Sequence, residues 1–267
     1  MKRTKLYWAI TGSIIALIAC PVFSYILSSS FIYALILFPM TLFLWYLSRI
    51  PKNRIGIKFG DLRSVLIAAF YPIFVTSSII VVLLFFSDAH FAHPSFSILI
   101  KNMFILLTAT FIVALLTEEG FFRGWLWSIL EAAYFTNWII LFWTSLVFSL
   151  WHYYAVVFLA SETTLPSTIV PIYLINILLV GINFGLIRLL SGSIIICSVS
   201  HSMWNALLYS IFGHGTNTGI LSEFNYQLFD PERGYMGIII NILVALFLLW
   251  LAGDKLKHVA TQQAHCV

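Results

Sequence analysis

Apolar runs of roughly twenty residues recur along the whole sequence, and they leave few folds open. A helix needs about 20 apolar residues to cross a hydrocarbon core about 30 Å thick. Eight such spans can be drawn, over residues 6–28, 31–48, 64–86, 98–131, 136–159, 168–190, 193–212 and 235–252. The fourth exceeds one plain crossing, so the length predicts a bend or an extension past the hydrocarbon. Only 9% of the 267 residues are charged and the mean hydropathy is +0.99, whereas soluble domains carry about 25% charged residues. The pattern predicts an all-α, polytopic integral membrane protein of about eight transmembrane helices. It forms a single membrane domain over 1–267, with no repeat and no separate soluble part.

The basic residues give an orientation. Lys2, Arg3, Lys5, Arg49, Lys52, Arg54, Lys58, Arg63, Arg188, Lys255 and Lys257 fall on one side of the drawn spans, and only Lys101 and Arg233 on the other. Positive charge is retained on the cytoplasmic side, so both termini are expected to be cytoplasmic, in a bacterial-type plasma membrane. The same short basic segments account for the pI near 9.0 without a nucleic-acid partner. The segment Arg49 to Arg63 is expected to lie on the anionic inner leaflet. Lys2, Arg3 and Lys5 ahead of an apolar stretch ending at Cys20 resemble a lipoprotein signal. The apolar run continues through Pro21 to Leu27, however, which favours an uncleaved first span. Cys20, Cys197 and Cys266 offer no disulfide framework or metal spacing.

Against this background the segment Thr117-Glu118-Glu119-Gly120-Phe121-Phe122-Arg123 stands out. Ionisable groups within a membrane span are costly and mark function by default. Residues four apart share a helix face, whereas adjacent ones point about 100° apart. Glu119 therefore stacks with Arg123, and Glu118 is left without a cation nearby in sequence, free to act as a general base. His201 and Asn205 share a face of the seventh span and form a pair of donors for an oxygen that gains charge. His152 stands alone on the fifth. Asn176, Asn183 and Asn241 read as hydrogen-bonding groups between helices. Gly120 with Gly124, and Gly181 with Gly185, have the spacing that lets helices approach closely. Counted from the cytoplasmic ends, Glu118 and His152 lie roughly 20–24 Å deep and His201 only roughly 12 Å, so convergence requires staggered helices.

The motifs Glu118-Glu119-x-x-x-Arg123, Phe148-x-x-x-His152 and His201-x-x-x-Asn205, in that order, resemble those of the CPBP (Abi) family. That family holds type II CAAX prenyl proteases of the Ras-converting-enzyme type and bacterial relatives that include bacteriocin-processing and self-immunity proteins. The likeness spans a catalytic core of about 98–212. The resemblance implies an intramembrane endopeptidase of the glutamate type. Glu118 would activate a water with help from His152, His201 and Asn205 would stabilise the oxyanion, and Glu119 and Arg123 would brace the site. A zinc site would draw on Glu118, His152 and His201, but the expected mechanism needs no metal and no other cofactor. The partners expected are a peptide or protein substrate reached within the membrane and the lipid bilayer.

Two other classes fit some of the same residues. A non-catalytic immunity or regulatory membrane protein would use the cluster for binding alone. A transporter would use it as an ion path, though the inverted repeats common in transporters are missing.

Overall fold

A computed structural model describes residues 2–27, 30–91, 96–158, 165–214 and 217–257; Cys266 lies outside them. The chain is an integral membrane protein built from helices. In order these are α1 (Lys2–Ile26), α2 (Ser30–Leu35), α3 (Leu37–Ser48), α4 (Lys52–Ile55), α5 (Leu62–Phe86), α6 (Phe96–Leu116), a π-helical segment (Glu119–Leu126), α7 (Trp127–Ala132), α8 (Asn137–Phe158), α9 (Val170–Ser191), α10 (Ile194–Ile211), α11 (Tyr226–Phe229) and α12 (Tyr235–Ala252).

Seven helices among the described residues are long and apolar enough to cross a membrane. The expected second span is the exception. It is interrupted at Ile36, which separates α2 from α3, and its apolar helix Ile32–Ser48 is shorter than the rest. It nevertheless runs the length of α1, because the Lys5 ammonium donates to the Ser48 carbonyl (2.5 Å). The long fourth span is continuous over Leu99–Ala132, 34 residues, about 50 Å at 1.5 Å per residue. Its winding changes to π-helical over Glu119–Leu126.

The end of the bundle that holds Lys2, Lys5 and residues 49–63, here the basic end, is closed by backbone. Asp61 caps α5 by accepting from the Ser64 amide (2.8 Å). The Arg54 carbonyl accepts from Ser128 Oγ (2.8 Å) and from Arg188 Nη2 (3.1 Å), and the Ile194 amide donates to Gly56 O (2.9 Å). Residues 49–63 are thus wedged beneath the π-helical segment, α9 and α10. Arg188, counted from sequence among the basic residues of this side, is buried.

The opposite end carries the only strands among the described residues. Strand β1 (His90–Phe91) pairs antiparallel with β4 (Leu221–Ser222), and β2 (Gly213–His214) with β3 (Asn217–Thr218). The first ladder ties the loop after α5 to the one after α10, and the second lies within the latter. Between the two ends the interhelical asparagines do bond as expected. Asn183 Nδ2 donates to the Asn241 carbonyl (3.3 Å), and Asn241 Oδ1 accepts from the Tyr71 hydroxyl (2.8 Å).

Candidate active site

The π-helical turn sets the position of every charge in the cluster. Such i→i+5 turns are rare and recur at functional sites. Gly120 sits in this one, where an added Cβ would lie 2.9 Å from the Leu115 carbonyl oxygen. Its lack of a side chain thus serves the coil itself, not an approach of helices. Gly124 faces Ile55 and Ile194, and Gly181 lets α9 reach α8, with an added Cβ only 3.2 Å from Ser145 Cα.

Glu119 and Arg123 are both fully buried, and Arg123 Nη1 lies 3.3 Å from Glu119 Oε1. Arg123 has further partners. Its Nη2 donates to the Gly181 carbonyl (3.0 Å), and its guanidinium carbon lies 4.3 Å from the centroid of the Phe148 ring, within cation–π range. Its own carbonyl accepts from Arg188 Nε (3.0 Å).

Glu119 is more than the partner of Arg123. Its Oε1 also lies 2.9 Å from His201 Nδ1, which sequence spacing could not foresee across 82 residues. A carboxylate only accepts, so this bond fixes a proton on Nδ1 and turns Nε2 toward Glu118. The ring is stacked on Phe184 at 4.9 Å. His152 is fixed in the same way. Its Nδ1 lies 2.9 Å from the Phe148 carbonyl, which requires an N–H there and leaves Nε2 facing the cluster.

Glu118 is the point on which the two rings converge. Its Oε2 is 3.7 Å from His152 Nε2 and 4.0 Å from His201 Nε2, and it hydrogen-bonds to no described group. The stagger that depth counting demanded is present. α10 starts above the wedged residues 56–61, its Ile194 amide bonded to Gly56 O, so His201 stands level with Glu118 although it is nearer its helix start. Asn205 is half-buried one turn farther along α10, and its amide bonds to no described residue.

The donor set does not fit zinc well. Bonds of about 2.0–2.1 Å hold tetrahedral donors about 3.3 Å apart, closer than the 3.7 and 4.0 Å found here. Among the described residues no group of three His, Cys, Asp or Glu side chains is arranged to hold a metal. Separations beyond about 3.5 Å are those that a water bridges.

Residues 99–207, which hold all three motifs, match a family model described as type II CAAX prenyl endopeptidase Rce1-like. Over these residues the chain is similar to that family. The match carries the protease class of that family and its polytopic membrane architecture. No curated protein matches the chain closely enough to count as a relative.

Two parts of the site's surroundings were not linked to it from sequence. One is Arg188, which holds the π-helical turn from below. The other is the turn Asp230–Gly234 at the opposite end, where Glu232 Oε1 accepts from Trp204 Nε1 (2.8 Å), one turn along α10 from His201. The charges in Asp230-Pro231-Glu232-Arg233 were a visible signal, but nothing in the sequence linked them to α10.

Proposed function

We propose that the protein is an intramembrane endopeptidase in which Glu118 activates a water for attack on a peptide carbonyl. The observation that carries this reading is the convergence of two histidine Nε2 atoms on a carboxylate oxygen that has no other partner among the described residues. A water between Glu118 and His152 gives a proton to the carboxylate as it attacks, and Glu118 returns that proton to the leaving amine. His152, a neutral acceptor at Nε2, orients the water.

His201 then has a defined task. To donate to the oxyanion from Nε2 it must carry protons on both nitrogens, and Glu119 stabilises that cation. With His201 charged, the two buried carboxylates are balanced by Arg123 and His201, which lowers the cost of holding charge in a low-dielectric site. Asn205, on the same helix face, supplies a second donor. No step needs a metal, so cleavage should withstand chelators, and purified active protein should hold no stoichiometric zinc.

The experiment is comparative peptidomics of membranes carrying the wild type or Glu118→Gln. Peptides released only by the wild type are expected; identical peptide profiles would sink the proposal. A biological effect that survives Glu118→Gln would point to a non-catalytic membrane partner.

A further inference from the structure

The two ends of the bundle differ in how they treat the cluster. Toward the basic end lie Phe121, Trp125, Leu126, Trp127 and Leu130, all buried, and beneath them the hydrogen-bonded backbone of residues 54–58. Glu118 and His152 nevertheless keep some exposure. Side-chain exposure is 0% for Glu119 and Arg123 but 14% for Glu118 and 17% for His152. His152 is six residues from the end of α8, roughly 9 Å by helical rise.

At that end stands the turn missed from sequence, and it is rigidly built. Asp230 Oδ1 accepts from the amides of Glu232 and Arg233, both at 2.8 Å, and Asp230 O accepts from the Gly234 amide (2.8 Å). Asn176 on α9 donates to the Gly234 carbonyl (3.0 Å), and Trp204 on α10 holds Glu232. Pro231 lies so close to Gly237 that no side chain fits there. Asp230 and Glu232 are thus engaged. Tyr173 near the start of α9 and Tyr209 near the end of α10 lie beyond the cluster toward this end. The half-buried Arg233 guanidinium bonds to no described residue.

We infer that the site is entered from the end that carries the Asp230–Gly234 turn, and that Arg233 there receives a carboxylate of the substrate chain. This rests on the hydrolytic reading of Glu118. The basic end is cytoplasmic by its charge, so the entrance faces the other side of the membrane. The substrate class is then a peptide, or a segment of a membrane protein, exposed outside the cytoplasm and bearing an Asp or Glu side chain or a free C-terminus. A prenylated chain end in the cytosol would meet the sealed face.

Two measurements test this, and neither needs turnover, so they stand or fall apart from the proposed hydrolysis. In a Cys266→Ser background, with Cys20 and Cys197 buried, His152→Cys and Tyr209→Cys are exposed to a membrane-impermeant thiol reagent. Labelling of both should be at least about tenfold faster in intact cells than in inverted vesicles, with Lys58→Cys showing the reverse. Faster labelling in inverted vesicles overturns the inference, as does no labelling of either from either side. In the second measurement, peptides carrying a neutral fluorophore are bound to Glu118→Gln protein in nanodiscs. One position at a time is Glu, Gln or Lys, and the C-terminus is free or amidated. An acidic peptide should bind at least about tenfold more weakly once Arg233→Glu is added, and its Gln or amide counterpart should not change; the sensitive member shows which carboxylate is read. Equal loss for all peptides, or no binding by any, overturns the role of Arg233.

Discussion

At the scale of the residue, the two neighbouring glutamates divide structure from chemistry. Glu119 is anchored to a guanidinium and an imidazole, whereas Glu118 has an oxygen with no partner. Removing one member of a buried ion pair typically costs about 3–5 kcal/mol, because the other charge is left uncompensated. Glu119→Gln should therefore lower thermal stability in detergent by about that amount and cut activity at least a hundredfold. Glu118→Gln removes a carboxylate that no close hydrogen bond anchors, so it should cost far less stability than Glu119→Gln while cleavage disappears. Equal loss of stability in both variants would show that the division is wrong. The sequence allowed half of this reading. The i, i+4 rule pairs Glu119 with Arg123, but no periodicity relates positions 119 and 201, so the second partner awaited the packing of α10 against the fourth span.

At the scale of the element, two local structures carry predictions. Helical periodicity revealed the fourth span but not its change to π-helical winding, since the residues of Glu119–Leu126 suit either coil. Gly120 is the clue in hindsight. In Gly120→Ala the new Cβ would press on the Leu115 carbonyl, which should destabilise the protein by about 1–3 kcal/mol, as overpacking does. It should lower kcat more than it raises KM, because Glu118 and Glu119 shift against the two histidines; an unchanged kcat would argue against the π turn as their setting. The second element is the Asp230 turn. Burial pushes the Asp230 carboxyl above its ordinary range, despite Arg233 nearby. The fold thus favours the protonated form. Its stabilising contribution is complete below the unfolded carboxylate value, about 3.9, and is lost as pH rises through the folded one. Asp230→Asn keeps an Oδ1 acceptor for both amides and cannot ionise, so its melting temperature should gain on the wild type as pH rises out of the acid range. A constant difference across pH would show that Asp230 does not titrate with the fold.

At the scale of the molecule, the spans were legible because hydrocarbon length and apolar run length are the same constraint. The closure of one end was not, because it rests on carbonyl groups whose partners are invisible in a sequence. Arg188 shows the difference. Counted by charge it is one more cation on the cytoplasmic side, yet it is buried with Nε on the Arg123 carbonyl and Nη2 on the Arg54 carbonyl. It therefore joins the π-helical turn to the strap that closes the basic end. Arg188→Met would fill most of the same volume and remove the donor to the Arg123 carbonyl, at about 1–3 kcal/mol, while the Arg54 carbonyl keeps only its bond from Ser128. The variant should melt earlier, and its 49–63 segment should become sensitive to protease added to inverted vesicles. Activity should fall with it, since the Arg123 backbone loses its support from below. Arg188→Lys, with one point charge where two bonds diverge, should restore little of either. Wild-type protease resistance and activity in Arg188→Met would mean that the floor of the site is held by apolar packing alone.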